Sequence, residues 1–271
     1  MKTYFNNIAG IPEIIEEIKK VTGFLWEKGW AERNAGNLSY NITDIAQEYI
    51  EFLDFETPVK SGKPFPNLDN NLLLVTGTGT RMRDVFKNPY NNICILHIVE
   101  NGTAYRQFHK PGSGNTILPT SELSSHLAIH EMLVANNREE KVIIHTHPNN
   151  LIALTHIREF CDEDRINNML WSIQPETRVF IHEGIGFVHY LQTGSDDLAD
   201  ATIGKLKKHR VALWEKHGCL AIGKNPAEAF DLIDIAEKSA DIFFICKSAG
   251  YKAEGISKKN LDELQQAFNI E

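Results

Sequence analysis

The 271-residue sequence has no long apolar segment, no run of positive charge and no paired cysteines. Its longest apolar runs, such as residues 72–75 and 242–246, are far shorter than the ~20 residues that span a bilayer as a helix. Lys and Arg never form a run longer than two, and the formal net charge is −8. We therefore expect no membrane span, and neither nucleic acid nor an acidic membrane surface as the main partner.

Cysteine spacing and the first residues bear on the compartment. The four cysteines are scattered, without the spacing of a disulfide framework or a cysteine metal motif: Cys94, Cys161, Cys219 and Cys246. Residues 1–20 lack the apolar core and the cleavage pattern of a signal peptide. We therefore expect reduced thiols and a cytoplasmic protein.

The composition is that of an ordinary globular protein, with 42% hydrophobic and 24% charged residues, which suffices for a sizeable core. Strand-like runs joined by short turns, one of them at Asn101-Gly102, argue against a purely parallel sheet. Helical patterns between these runs must cover the faces of the sheet. We predict one α/β domain over residues 1–271, a three-layer helix–sheet–helix arrangement with a mixed, largely antiparallel central sheet.

Two segments carry more specific expectations. Residues 42–70 are mixed and polar with three prolines, Pro58, Pro64 and Pro66, and we expect an excursion from the core there. Residues 177–190, TRVFIHEGIGFVHY, read as two strands separated by glycines. Apolar residues at helical spacing predict a helix over about 12–30. Further helices are expected over about 121–135, 196–208 and 226–248, with a less regular helical stretch over about 150–172.

Residues 141–154, KVIIHTHPNNLIAL, place two histidines at the end of an apolar strand. Because side chains alternate across a strand, His145 and His147 share one face and Thr146 takes the other. One interpretation is a structural pair held by hydrogen bonds. The other is a metal site, since Zn²⁺ binds imidazole nitrogens and catalytic zinc takes three protein ligands beside an open position.

The third ligand of such a site has two possible sources. His126 and His130 lie four residues apart on a predicted helix, whereas His217 stands at a strand–turn–strand junction. Spacing alone does not choose between them. Glu122 belongs to the same helix, and with Thr120 as N-cap it would be the second helical residue. It is then either a surface acid favoured by the helix dipole or a catalytic base held over the metal.

Two further stretches, ERNAGNLS and VTGTGT, offer small residues where a loop leaves a regular element. Glycines let backbone N–H groups approach a phosphate. Neither stretch fits a Walker loop or a dinucleotide fingerprint. Each alone is equally typical of a turn or a helix C-cap.

The chain resembles the class II, zinc-dependent sugar-phosphate aldolase family through five segments in this order: RNAGNLS, LLVTGTG, LPTSELSSH, VIIHTHPNNLIALT and LWEKHGCLAIG. The resemblance covers nearly the whole chain. It implies an enzyme that cleaves a sugar phosphate by a retro-aldol reaction with one Zn²⁺ per subunit. It also implies a homotetramer with active sites at the subunit interfaces.

By matching motif, the resemblance assigns His145, His147 and His217 to zinc. It matches His126 and His130 to no ligand position, so their helical spacing is expected to be coincidental.

The same resemblance implies roles for two glutamates. Glu122 matches the catalytic acid/base, and Glu176 in SIQPETRVF matches, less closely, a glutamate that reaches in from a neighbouring subunit. Thr78 stands where relatives commonly have serine. The positions that match phosphate-binding residues are Asn34, Gly36, Asn37, Thr78, Gly79, Thr120 and Ser121.

Three alternatives remain open at this stage. Another sugar-phosphate aldolase, such as one acting on fuculose phosphate, and a pentulose-phosphate 4-epimerase would share the HxH site, although such chains are typically shorter. A non-catalytic, adducin-like interaction domain would have no need for three matching histidines together with Glu122.

Overall fold

The computed structural model describes residues 8–108 and 117–270, and the chain divides into two compact units. The first comprises Met1–Ile144 and Gly223–Ala227, and the second comprises His145–Ile222 and Glu228–Glu271. The expectation of a single domain stays a prediction.

Helices and a nine-stranded mixed sheet make up the fold over the described residues. Most of the strand pairs are antiparallel, which confirms the predicted α/β class with its mixed sheet. The strands are β1 Asn37–Asn41, β2 Val59–Lys60, β3 Leu72–Thr76, β4 Ile93–Val99, β5 Ala104–Gln107, β6 Val142–Thr146, β7 Ile185–Val188, β8 Val211–Trp214 and β9 Gly218–Gly223.

The α-helices of the described ranges are α1 Ile11–Glu27, α2 Thr43–Ala46, α3 Met82–Lys87, α4 Leu123–Ala135, α5 Asn149–Leu154, α6 Glu163–Ile173, α7 Pro175–Phe180, α8 Asp196–Leu206, α9 Pro226–Ser248 and α10 Lys258–Ala267. Short 3₁₀ helices cover Gln47–Phe52, Pro66–Leu68, Pro89–Asn91 and Arg158–Phe160. None of the helices in the described part of the chain is long and apolar enough to cross a bilayer. All four cysteines are free thiols.

Five strands of the first unit follow the order β2-β5-β4-β3-β1, and every neighbouring pair among them is antiparallel. The predicted hairpin joins β4 to β5, and its turn has positive φ at Glu100, Asn101 and Gly102. A Cβ on Gly102 would lie 1.9 Å from the Phe65 carbonyl oxygen. Only glycine fits there, so the turn is fixed by close backbone approach as well as by φ.

The segment 42–70 contributes to the core of this unit at its two ends. Ile42 and Ala46 are buried at the first end, and Phe65 and Leu68, 3% and 0% exposed, at the second. Phe65 and Leu68 pack in one apolar cluster with Leu73, Leu96 and Leu127. The residues between the two ends, over 47–64, lie mostly at the surface.

In the second unit β9 pairs antiparallel with β8, and β8 pairs parallel with β7. The prediction of two strands over 177–190 is wrong in its first half, because Pro175–Phe180 is the helix α7. Pro175 presets helical φ in the first turn, and the buried Thr177 hydroxyl lies 2.7 Å from the Ser239 hydroxyl on α9. These tertiary contacts outweigh the strand propensity of the segment.

Candidate functional site

Three histidines meet in the second unit. His145 belongs to β6, His147 follows that strand directly, and His217 ends the turn between β8 and β9. Their ring centroids are 5.0–5.2 Å apart, and one nitrogen from each lies within 4.8 Å of the others. Within residues 8–108 and 117–270, this is the one group of three or more His, Cys, Asp or Glu side chains with such a spacing.

The hydrogen bond of His145 fixes which of its nitrogens is available. Its Nδ1 lies 2.9 Å from the Cys219 carbonyl oxygen. A carbonyl can only accept, so Nδ1 carries the proton and Nε2 of the neutral ring keeps its lone pair. Such an outer hydrogen bond orients a metal-binding imidazole and raises its basicity.

The indole of Trp214 holds two of the rings in place. Its centroid lies 4.5 Å from that of His145 and 5.0 Å from that of His217, at interplanar angles of 36° and 33°. The indole is itself fixed, since its Nε1 donates to the Thr202 hydroxyl at 2.9 Å. Trp214 was not predicted from the sequence, because ring contacts across a strand or turn leave no local pattern.

Gly218 makes room for the cluster. A Cβ at this position would lie 2.6 Å from the Thr146 carbonyl oxygen and 2.7 Å from His147 Cδ2. It would also lie 3.1 Å from His145 Cε1. Any larger residue would push apart the two segments that carry the imidazoles.

The turn that carries His217 is tied down by its neighbour. Lys216 adopts φ 59°, an uncommon conformation for a lysine. Its backbone N–H donates to the Thr155 hydroxyl at 2.8 Å. Thr155, 0% exposed, thus holds a turn whose backbone is otherwise unfavourable.

A buried glutamate anchors the segment that follows His147. Glu237 on α9 accepts the backbone N–H groups of Asn150 and Leu151 at 2.9 and 2.8 Å. These are donors at the start of α5 that have no partner inside the helix. Burial raises the pKa of the Glu237 carboxyl, and the backbone hydrogen bonds oppose this shift.

Glu122 lies in the first unit, at the N-cap of α4. We expected the helix to begin nearer Ser121 with Thr120 as its cap, but it begins at Leu123. The Thr120 hydroxyl instead accepts the Glu122 N–H at 3.3 Å. The Glu122 carboxylate accepts a hydrogen bond from Asn37 Nδ2 at 2.6 Å.

His126 and His130 face the interior of the same unit, and each is 1% exposed. The two nitrogens of His126 lie 2.6 Å from Ser39 Oγ and 2.5 Å from Asn37 Oδ1. His130 Nε2 lies 2.8 Å from Ser39 Oγ. Burial lowers the pKa of His126 to about 4, against the opposing charge of Glu122, and it lowers the pKa of His130 to about 3. Both rings are therefore neutral at pH 7.

The segments matched to phosphate binding converge on Thr76, a residue that was not predicted from the sequence. The Thr76 hydroxyl accepts the Leu38 N–H at 3.0 Å, and the Thr76 carbonyl accepts the Thr120 N–H at 2.9 Å. Thr78 N–H donates to the Leu118 carbonyl at 2.8 Å. Thr76, at the end of β3, is thus hydrogen-bonded both to the start of β1 and to the segment that leads into α4.

The matched residues differ in exposure. Asn37 and Thr120 are buried, at 8% and 7% exposure, and Gly36 is half-buried. The exposed members are Asn34, Thr78, Gly79 and Ser121. Gly36 and Gly79 have φ of 83° and 67°, so both positions require the freedom of glycine. Glu176 is exposed in the first turn of α7.

The family model described as Class II Aldolase and Adducin N-terminal domain matches residues 16–244. The chain therefore belongs to the class II aldolase and adducin family. Together with its curated relatives, this makes it a class II aldolase, a lyase. Enzymes of this family typically depend on a metal, and the three-histidine cluster is suited to hold one.

The similar proteins extend over nearly the whole chain. A rhamnulose-1-phosphate aldolase of Bacteroides thetaiotaomicron is 37% identical over 271 residues, which cover 100% of this chain and 99% of that protein. One from Pectobacterium atrosepticum is 35% identical, over 94% of this chain and 93% of that protein. The crystal structure of a sugar-phosphate aldolase from Thermotoga maritima superposes with a TM-score of 0.77 at 36% identity, and covers 89% of this chain and 98% of that one.

Proposed function

We propose that this protein reversibly cleaves L-rhamnulose 1-phosphate to dihydroxyacetone phosphate and L-lactaldehyde, with one Zn²⁺ held by His145, His147 and His217. The observation that carries the proposal is the three-imidazole cluster, since a retro-aldol cleavage without a Schiff base needs an electrophile. The relatives that match over nearly the full length are named for this substrate.

The residues of the cluster fit zinc. Three neutral imidazoles are a common ligand set for catalytic Zn²⁺, whereas Mg²⁺ and Ca²⁺ prefer oxygen ligands. The Cys219 carbonyl leaves His145 Nε2 as the binding atom, and Gly218 keeps space beside the rings. Zn²⁺ bound there would act as a Lewis acid on the ketone and the adjacent hydroxyl of the substrate.

Glu122 is the proposed acid/base. Cleavage of the C3–C4 bond leaves negative charge on C3, which the C2 carbonyl delocalises. Glu122 would return a proton to C3 after cleavage and remove it in the condensation direction. The hydrogen bond from Asn37 Nδ2 fixes one carboxylate oxygen, so the position of the other is defined as well.

A second group must accept the C4 hydroxyl proton, and we propose Glu176 of a neighbouring subunit for this role. Glu176 is exposed near the start of α7, where it is accessible to another chain. The proposal includes a homotetramer with active sites at its subunit interfaces. Size-exclusion chromatography with light scattering tests that assembly.

For the phosphate we propose the three segments joined at Thr76, with Asn34, Gly36 and Asn37 in the first, Thr78 and Gly79 in the second, and Thr120 and Ser121 in the third. The glycines at positive φ allow close backbone approach to an anion. Phosphate contacts away from the reacting bond fix the register of the substrate.

The direct test is incubation of the purified protein with L-rhamnulose 1-phosphate, with and without a chelator, followed by an assay for dihydroxyacetone phosphate. We expect product that disappears with the chelator and returns with Zn²⁺. L-Fuculose 1-phosphate and L-ribulose 5-phosphate serve as competing substrates. A higher kcat/KM on either of them, or epimerised sugar phosphate as the product, would contradict the proposal.

Glu122→Gln separates the acid/base from the metal. We expect unchanged zinc content and a loss of about 10²–10⁴-fold in kcat. Glu139→Gln, at an exposed position of the same unit, is the matched control and should retain full activity. Normal exchange of the C3 proton of dihydroxyacetone phosphate in Glu122→Gln would refute the role of Glu122.

A further inference from the structure

The buried histidines of α4 belong to a continuous hydrogen-bonded chain that ends on Glu122. We call this chain the Glu122 relay. Its members, in order, are His130, Ser39, His126, Asn37 and Glu122, and the four successive contacts measure 2.8, 2.6, 2.5 and 2.6 Å. Four of the members are buried, at 0–8% exposure, and Glu122 is half-buried.

Hydrogen-bonding rules give the relay a single direction. Asn37 Nδ2 donates to the Glu122 carboxylate, so the other end of the amide, Oδ1, faces His126. Asn37 Oδ1 also accepts, so His126 carries its proton on Nε2. The Nδ1 of the neutral ring is then an acceptor.

The same reasoning continues to the far end of the relay. Because Nδ1 of His126 accepts, the Ser39 hydroxyl donates to it. The Ser39 oxygen in turn accepts from Nε2–H of His130. Every donor therefore points along the chain toward the carboxylate, and such aligned hydrogen bonds strengthen one another in a low-dielectric interior.

We propose that the Glu122 relay positions the Glu122 carboxylate for proton transfer by locking the side-chain amide of Asn37 in one orientation. The two ends of an asparagine amide have nearly the same shape, so only their partners decide which end faces which group. If the amide of Asn37 turned over, its Oδ1 would face the carboxylate oxygen. His126 and His130 are thus positioning residues, and no proton has to travel along the relay.

This proposal rests on the proposed acid/base role of Glu122, but its geometry can be tested independently. In the wild-type protein, ¹H–¹⁵N imidazole spectra should show both His126 and His130 neutral at pH 7 and protonated on Nε2. A His126 ring protonated on Nδ1 would overturn the relay whatever the substrate is.

Kinetics test whether the relay acts on Glu122. His126→Leu removes the donor to Asn37, and we expect about a tenfold loss in kcat and in C3 proton exchange of dihydroxyacetone phosphate, with zinc content unchanged. His126→Gln restores an N–H near the Nε2 position and should recover most of the loss. Ser39→Ala removes a smaller group and should lower kcat less, so it keeps the test valid if His126→Leu fails to fold.

Thr22→Val is the matched control. It deletes a buried hydroxyl of the same unit, which donates to the Lys19 carbonyl within α1, and kcat should stay unchanged. If His126→Leu and Ser39→Ala both match Thr22→Val in kcat, the relay does not act on Glu122. Absence of cleavage by the wild-type protein would refute the proposed function, and the imidazole spectra would then decide the relay by themselves.

Discussion

His126 and His130 on α4 resemble His145 and His147 at the end of β6 in one respect, since each pair places two rings on one face of its element. The two pairs differ in how their nitrogens are used. The rings on α4 are buried, and they are hydrogen-bonded to the side chains of Ser39 and Asn37. The pair at β6 meets a third imidazole, with Nδ1 of His145 bonded to a backbone carbonyl.

The spacing of two histidines therefore identifies a shared face but does not identify a metal ligand. A metal site needs nitrogen lone pairs that converge on one point. In a structural pair, the ring nitrogens form hydrogen bonds to donors and acceptors of the protein. The second property depends on residues distant in sequence, such as Ser39 for the helix and His217 for the strand.

The strongest test of the comparison replaces one ring of the β6 pair and, as the control, one exposed histidine. His147→Ala should lose bound zinc and about 10³-fold or more of its cleavage rate, because the electrophile is lost with the ligand. His182→Ala, an exposed histidine of the same unit, should keep both. Zinc analysis by mass spectrometry and the cleavage assay give the answer. Full zinc occupancy and activity in His147→Ala would contradict the assignment.

Gly218→Ala tests the space beside the rings of His145, His147 and His217. Its Cβ would collide with the Thr146 carbonyl and with His147, so we expect a loss of about 10–100-fold in zinc affinity, the range for changes around metal ligands. Gly204→Ala is the matched control, because nothing lies within 4 Å of its added Cβ. Competition with a chromogenic chelator measures both. Equal affinities would show that the cluster tolerates expansion.

Lowering the pH should reduce the folding stability through the buried histidine pair on α4. The pKa of His126 and His130 is lowered from 6.5 to about 4 and about 3 by burial. The unfolded chain therefore binds more protons below pH 6.5, and stability falls as pH drops through this window. We expect a loss of about 2 kcal/mol per histidine from pH 7 to pH 5.

Urea unfolding at pH 7 and pH 5 in excess Zn²⁺ measures this loss. His130→Gln should remove the share of His130, so its stability should fall less between the two pH values than that of the wild type. His189→Gln, at an exposed histidine, should retain the wild-type difference. An unchanged pH dependence in His130→Gln would show that folding does not lower the pKa of His130.

Thr155→Val should have the smallest effect. It removes the hydroxyl that accepts the Lys216 N–H, so we expect about 1 kcal/mol lower stability. Zinc affinity should fall a few-fold, since His217 follows in the same turn. Thr43→Val, which removes a hydroxyl acceptor of the Leu72 N–H in the other unit, should lower stability without changing zinc affinity. A larger zinc effect in Thr43→Val would refute this view of the turn.

Local pattern predicted the parts of the fold that local forces decide. The apolar periodicity after Pro12 gave α1, and the Asn101-Gly102 turn gave the β4–β5 hairpin. The pattern failed at α7, where strand-forming residues are helical because Pro175 and the Thr177–Ser239 contact decide the backbone.

The candidate site shows the same division. The shared face of the β6 pair followed from strand geometry, but the choice of His217 came from the family resemblance. Trp214 and Thr76 were missed because their roles are contacts across strands or turns, which leave no local pattern. The predicted start of α4 was about two residues too early. Thr120 and Ser121 are both good N-cap residues, but the N-cap is Glu122 and the helix begins at Leu123.

The partner of His145 Nδ1 is a main-chain carbonyl, and this has a consequence for mutational robustness. A side-chain acceptor can be lost through one codon change, but every residue type supplies the carbonyl of position 219. The tautomer of His145 is therefore determined by the backbone position of β9 and not by the side chain at position 219. A substitution at position 219, for example Cys219→Ala to remove an oxidisable thiol, therefore leaves the proton of His145 on Nδ1.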